Sequence, residues 1–258
     1  MPIYQHFRKN EHPFVDRAID WMNNVRDQYT VYVTDFLNPR EREIVTSVIG
    51  LNNEEVKFSF FGGVDDAERE RAVIAPYFVD IDEADFELIG LEATYAQKFV
   101  TLEHPDVLGA FTSLGIDRKM IGDIFVHDGR IQLITTEEFK HYVMQELTEI
   151  KRTKVSFKEV ALQDIEKDEQ NWQRKHHTVS SMRLDVVVKA VYQLSRKNAT
   201  KLIESERVSL NYALESNPAT LLGPGDLLSV RGYGRCKLIA DEGRTRKDKH
   251  RLIAARLM

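Results

Sequence analysis

A single cysteine, Cys236, stands in a chain of 258 residues. It excludes an internal disulfide and any thiolate zinc cluster, and by itself reads as an incidental strand residue. Long apolar runs are missing too. No stretch approaches the roughly 18 apolar residues of a membrane-spanning helix, and the leading MPIYQHFRKNEHPF is too polar for a secretion signal. These absences point to a cytoplasmic protein with no membrane partner. Catalytic patterns are equally scarce. Of eight histidines, His176 and His177 adjoin and cannot face one site, while His104, His127 and His141 lack ligand spacing with acids or thiols. Gly62-Gly63 has neither the further glycines nor the Lys-Ser/Thr of a phosphate loop, so it reads as a tight turn. Nothing around Ser113 or Ser195 forms a nucleophile elbow. The expectation is a non-enzymatic protein with no metal and no cofactor.

Positive charge is short overall, with 36 Lys and Arg against 41 Asp and Glu and a net −5. Its distribution matters more. From Asn171 onward, 17 basic residues face 8 acidic ones, a net +9, which leaves −14 for the rest. A basic last third on an acidic body suits a nucleic-acid-binding module whose remaining surface rejects phosphate.

That last third is the best patterned part of the chain. Leu184, Val187, Val188 and Val191 fall at i, i+3, i+4 and i+7, the stripe of a helix, with Arg183, Asp185 and Lys189 off it. Ser195 is placed to cap a second helix with Ala199, Leu202 and Ile203 inward and Arg196, Lys197 and Lys201 outward. Strands follow over Arg207–Asn211, Leu227–Arg231 and Arg235–Ile239, separated by Gly223-Pro224-Gly225-Asp226 and Gly232-Tyr233-Gly234 turns. The tail beyond Asp241 reads either as a basic extension or as a short amphipathic helix carrying Leu252, Ile253 and Leu257.

Residues 1–80 read as a small mixed α/β unit. The pattern predicts a helix over Pro13–Asp27, a strand over Thr30–Thr34 and a helix from Asn38-Pro39 through Ile49. Strands at Val56–Phe61 and Val73–Pro76 then flank DDAERERA, expected as a short solvated helix. Residues 82–165 change character. A strand over Phe86–Tyr95, a helix over Pro105–Leu114 and two strands joined by Asp128-Gly129 precede a helix from Thr136 to Ile150 and a last strand over Val155–Val160. Strand-helix-strand-strand-helix-strand is the ferredoxin-like plait. Its third strand offers Ile131, Leu133 and Ile134 where base-stacking plaits carry aromatics. The polar stretch 166–181 is expected to be a linker, and 182–258 the RNA-binding domain with its basic tail. The fold class is α+β.

The set Arg183-Leu184-Asp185, Ser195-Arg196, Ala199, Leu202-Ile203, Val208, Asn211 and Gly225-Asp226 resembles the RNA-binding domain first described in small-subunit ribosomal protein S-four. Glu206 and Tyr212 depart from that pattern, standing where glycine commonly relieves a left-handed backbone. The module often precedes a pseudouridine synthase, but Met182 replaces the glycine of the Gly-Arg-Leu-Asp string of those enzymes. Over nearly the whole length, Phe36-Leu37-Asn38-Pro39, Phe61-Gly62-Gly63 with Glu68-Arg69, Leu108-Gly109-Ala110, Gly115-Ile116-Asp117-Arg118, Ile121-Gly122-Asp123-Ile124 and Ser229 to Arg235 resemble the bacterial YlmH family. The resemblance implies a non-enzymatic RNA-binding protein, encoded near cell-division genes. It further implies work on the large ribosomal subunit, in quality control of stalled nascent chains beside peptidyl-tRNA.

The expected mechanism is phosphate-backbone docking on structured RNA, ribosomal RNA first and transfer RNA second. Arg183, Lys189, Arg196, Lys197 and Lys201 supply a helical cationic face, with Arg207 beside it and Arg231, Arg235 and Lys237 on its flank. Ser195 and Asn211 offer hydrogen bonds or hold a cap and a turn. Tyr233, between glycines, offers a ring to a base or packs in the core. The alternative is a cell-division adaptor with protein partners on residues 1–165.

Overall fold

The computed structural model describes residues 3–50, 53–98, 100–167 and 171–257. It divides into two compact units, Met1–Asp168 and Glu169–Met258.

In the first unit, helix α1 (His12–Gln28) buries Phe14, Val15, Ala18 and Val25 along one face, with Pro13 in the first turn where its missing N–H costs nothing. Strand β1 (Tyr32–Val33) is shorter than the expected Thr30–Thr34. Helix α2 (Pro39–Ile49) starts at a reciprocal cap. Asn38 Oδ1 accepts from the Glu41 backbone N–H at 3.0 Å, and the Glu41 carboxylate accepts from the Asn38 N–H at 2.8 Å. Strands β2 (Val56–Phe61) and β3 (Arg71–Pro76) complete an antiparallel sheet ordered β1-β3-β2.

Residues 65–72 do not form the expected short helix. Ala67 is buried, Glu70 bridges to Leu37, and the backbone N–H groups of Glu68 and Arg69 donate to the Asp123 carboxylate at 2.7 and 3.1 Å. Long-range acceptors take the donors that a helix would use internally, which alternating charge cannot foretell.

The plait follows, with β4 (Leu88–Thr94), α3 (His104–Ser113), β5 (Ile121–His127), β6 (Arg130–Thr136), α4 (Lys140–Glu146), β7 (Glu149–Ile150), β8 (Thr153–Lys154) and β9 (Lys158–Val160). Its main sheet is antiparallel in the order β5-β6-β4-β9, the first and third strands at the centre. Asp128-Gly129 turns the β5–β6 hairpin, with Gly129 at φ +79°. Two expectations are corrected. The helix from Thr136 to Ile150 occupies only Lys140–Glu146, because Leu147 and Ile150 turn into the core and Glu149–Ile150 pairs with β8. Thr136 ends β6, and its Oγ1 accepts from the Phe139 N–H at 3.2 Å. The last strand contracts to Lys158–Val160, since Val155 and Phe157 also enter the core.

The second unit contains β10 (Trp172–Val179), α5 (Leu184–Tyr192), α6 (Arg196–Glu204), β11 (Val208–Leu210), β12 (Ala213–Leu214), β13 (Leu227–Val230), β14 (Gly234–Arg244) and β15 (His250–Leu257). Its six strands run in the order β10-β15-β14-β13-β11-β12. The stretch 166–181 is therefore not simply a linker. Trp172–Val179 pairs along its whole length with β15, while residues 168–170 lie outside the described residues. The tail is a strand, not a helix, with Leu252 and Ala254 alternating into the core. Leu252, Ile253 and Leu257 suit either period; two flanking strands settle it.

Glu206 and Tyr212 take left-handed backbone, at φ +54° and +66°. A side chain costs roughly 1–2 kcal/mol there, partly offset by the entropy that glycine loses on folding. Glu206→Gly is expected to stabilise the unit by about 0.5 kcal/mol, read by urea denaturation.

Candidate nucleic-acid interface

Both helices pack one face on the sheet of the second unit. Leu184, Val187, Val188 and Val191 of α5 and Ala199 and Ile203 of α6 are buried there with Val208, Leu228 and Leu238. Lys189, Arg196, Lys197 and Lys201 are left exposed. Lys197 and Lys201 lie one turn apart on α6, and neither has an acidic partner among the described residues. Ser195 caps α6, its hydroxyl oxygen accepting from the Asn198 N–H at 3.1 Å.

Asp185 is where sequence reasoning goes astray. Although it lies off the apolar stripe, it is 2% exposed. Its carboxylate accepts from Arg183 Nε at 3.0 Å and from Arg196 Nη2 and Nε at 3.1 and 3.2 Å. Burial pushes this carboxyl up, but the two guanidinium groups outweigh it and hold the group below its usual value. One buried acid thus ties the entry of α5 to the first residue of α6 and fixes two arginines. The side chain of Arg196 is still 67% exposed.

The strand end carries the expected Arg207, Arg231 and Tyr233, organised by Tyr192 and Arg256, which the sequence did not single out. Arg207 and Arg231 are exposed neighbours, the Arg231 N–H donating to the Arg207 carbonyl at 2.9 Å. Tyr233 is exposed and meets Tyr192 edge-on at 6.1 Å. Beneath it, the Tyr192 hydroxyl donates to the Gly234 carbonyl at 3.0 Å. Arg256 lies 5.0 Å over the Tyr192 ring and donates to the Tyr233 carbonyl at 3.0 Å. The turn presenting Tyr233 is thereby pinned from two sides. Strand alternation in His250–Leu257 was the signal for Arg256, once that segment is taken as a strand.

One expected contact residue serves the fold. Asn211 Nδ2 donates to Asp226 at 2.8 Å, and its Oδ1 accepts from the Leu227 N–H at 2.9 Å, which commits both ends of the amide to the turn. Arg235 and Lys237 do not flank the helical face. Cys236 and Leu238 between and beyond them are buried against the helices, so Arg235 and Lys237 project from the opposite side of the sheet. Burial pushes the Cys236 thiol up to about 12, which keeps it unreactive.

The plait sheet is closed to base stacking. Ile131 and Leu133 belong to the core on one face, while Gln132 and Ile134 are buried on the other, where a Cβ on Gly63 would touch Ile134. Among the described residues there is no metal-competent cluster of His, Cys, Asp and Glu. No helix among them is long and apolar enough to cross a membrane.

Two short helices on an antiparallel sheet, cations outward, define an RNA-binding domain of the S4 class, and residues 182–228 match the family described as "S4 domain". Residues 10–78 match "YlmH, N-terminal" and residues 82–164 match "Putative RNA-binding domain in YlmH". The chain is 38% identical over 254 residues to ribosome-associated protein quality control protein P2 of Bacillus subtilis (strain 168), covering 98% of each. A solved structure, cell division protein ylmH from Streptococcus pneumoniae, aligns at 30% identity and a TM-score of 0.54, over 63% of this chain and 99% of that one. The chain belongs to the YlmH family, as the sequence resemblance indicated.

Proposed function

We propose that this protein is a non-enzymatic cytoplasmic factor that docks through its second unit on large-subunit ribosomal RNA, beside peptidyl-tRNA, in translation or ribosome-associated quality control. The observation that carries this reading is the cationic face of α5 and α6, with Arg183 and Arg196 held on buried Asp185. Arginines already in position lose little entropy on meeting phosphate, so more of each contact appears as affinity. The B. subtilis relative, named for ribosome-associated quality control and alike over 98% of the chain, supports the same setting.

The test is co-sedimentation with ribosomes and separated subunits at two salt concentrations. Lys197→Glu with Lys201→Glu is the variant to use, because neither lysine holds the fold, whereas reversing Arg196 would also break its pair with Asp185. Wild-type protein is expected with the large subunit at low salt. The variant is expected to lose most of that association and to flatten the slope of log affinity against log salt by about 2. Salt-insensitive binding, or a variant that sediments like wild type, overturns the reading.

A second reading has its own observation. Tyr29, Tyr77 and Phe78 are 71%, 63% and 59% exposed in the first unit, with Phe78 5.5 Å from Tyr77 and 6.2 Å from Tyr29 between ring centroids. An aromatic patch on an acidic body suits a protein partner, and the S. pneumoniae relative is named for cell division. Tyr77→Ser with Phe78→Ser separates the two roles. On this second reading a division phenotype appears while ribosome association is unchanged.

A further inference from the structure

We infer that the second unit has a further RNA-contacting face, the side of its six-stranded sheet that the helices leave open, and that it takes the sugar-phosphate backbone of a second RNA segment. This rests on the RNA-binding reading above and extends it from one face to two.

The alternation of the strands carries the argument. Val208, Leu210, Leu228, Val230, Leu238 and Leu252 point into the helical core. Their neighbours along each strand must point the other way. On β14, β15 and β10 those neighbours include the cations Lys237, Arg251 and Arg174, set among Ile253, Leu257 and Thr178. Arg174 pairs with Ala255, and Ala255 pairs with Lys237, so one row across three strands reads Arg174, Ala255, Lys237. Arg251 extends the same face along β15, opposite Thr178. Arg174, Lys237 and Arg251 are exposed, and none has an acidic side-chain partner among the described residues. Ala255 is 1% exposed although it lies outside the helical core, as expected when the alkyl stems of flanking long side chains lie over it.

The arrangement favours a polyanion over mere solvation. In the first unit arginines and lysines are drawn onto carboxylates, among them Arg40 on Glu11 and Lys158 on Glu92. The open face instead spaces its cations across adjacent strands. Trp172 shares that face at its border, opposite Leu257, and adds a flat ring of the kind that unpaired bases stack upon. One acid approaches this strand, Glu242, 3.5 Å from His176. With helical cations on one side of the sheet and these on the other, one copy of the unit can hold two RNA segments at once.

The experiment measures stoichiometry of the full chain with a short RNA hairpin by analytical ultracentrifugation at low salt. Three proteins are compared: wild type, Arg174→Glu with Lys237→Glu, and Lys197→Glu with Lys201→Glu. Wild type is expected to saturate at two hairpins per chain and each variant at one, with near-ultraviolet circular dichroism unchanged. Arg251→Glu, reversed alone, is expected to weaken the second hairpin about tenfold and guards against a folding defect in the double variant. A sheet-face variant with wild-type stoichiometry and affinity overturns the inference and leaves the helical reading intact. Failure of wild type to bind any hairpin overturns both. Capture of anionic phosphatidylglycerol vesicles by this face, with no change in hairpin binding on its reversal, also overturns it.

Discussion

Asp185→Ala is expected to destabilise the second unit by about 2 kcal/mol and to weaken RNA binding about tenfold. The carboxylate is almost fully buried and accepts hydrogen bonds from two guanidinium groups, at 3.0 Å from Arg183 and 3.1 Å from Arg196. Charge-assisted bonds of this kind are worth roughly 1.5–3 kcal/mol each when one partner is removed. Both arginines are partly exposed and recover water after the truncation, so the sum is discounted toward the lower figure. The loss in affinity has a separate cause, since each arginine must then be ordered at the moment of binding.

Asp185→Asn separates charge from shape and is expected to cost about half as much. The pH dependence has a definite sign. A carboxyl held below its usual value contributes stability that is fully present above that value and disappears as pH falls through the lower folded value. Wild type is therefore expected to lose this increment in acid below the ordinary carboxylate range, whereas Asp185→Asn shows no such component. The chain's two tryptophans lie one in each unit, so Trp172 fluorescence in a Trp21→Phe background follows the second unit alone. An Asp185→Ala protein as stable as wild type would contradict the pairing.

Gly62→Ala is expected to cost more, about 3 kcal/mol, at the upper end of what overpacking does. A Cβ there would lie 2.3 Å from the Ala67 Cβ and 2.5 Å from the Arg69 carbonyl oxygen. These atoms have little room to yield. The Glu68 and Arg69 N–H groups are held by Asp123, and Glu70 is bridged to Leu37. The control is Gly109→Ala on α3, where nothing lies within 4 Å and the expected effect is a gain of about 0.5 kcal/mol. Trp21 fluorescence in a Trp172→Phe background reads both. Equal stability for the two variants would mean that the turn at Gly62 does not close on residues 67–69.

Where local chemistry is strong, the chain was legible. The Asn38 cap, the Asp128-Gly129 hairpin and the Ser195 cap each need only a few residues in a row, and α1, α2, α5 and α6 lie where apolar spacing puts them. The path of the turn, which Glu206 and Tyr212 in place of glycine left open, proves left-handed at both. Misreadings gathered where a segment's partner lies far away in sequence. Residues 65–72 gave up a helix to the distant Asp123. The segment 172–179 looked like a polar linker because an edge strand with one wet face needs few apolar residues, and its partner lies 71 to 85 positions onward.

The candidate site divides along the same line. Composition alone determined a basic module on an acidic body, and spacing alone determined two helices with outward cations, because both are properties of neighbouring residues. Only the tertiary structure decided that Asp185 is buried between two arginines, that Asn211 is spent on a turn and that Arg235 and Lys237 face away from the helices. Each of those depends on which surface a side chain meets after the sheet has closed, and that surface is built from strands separated in sequence by tens of residues.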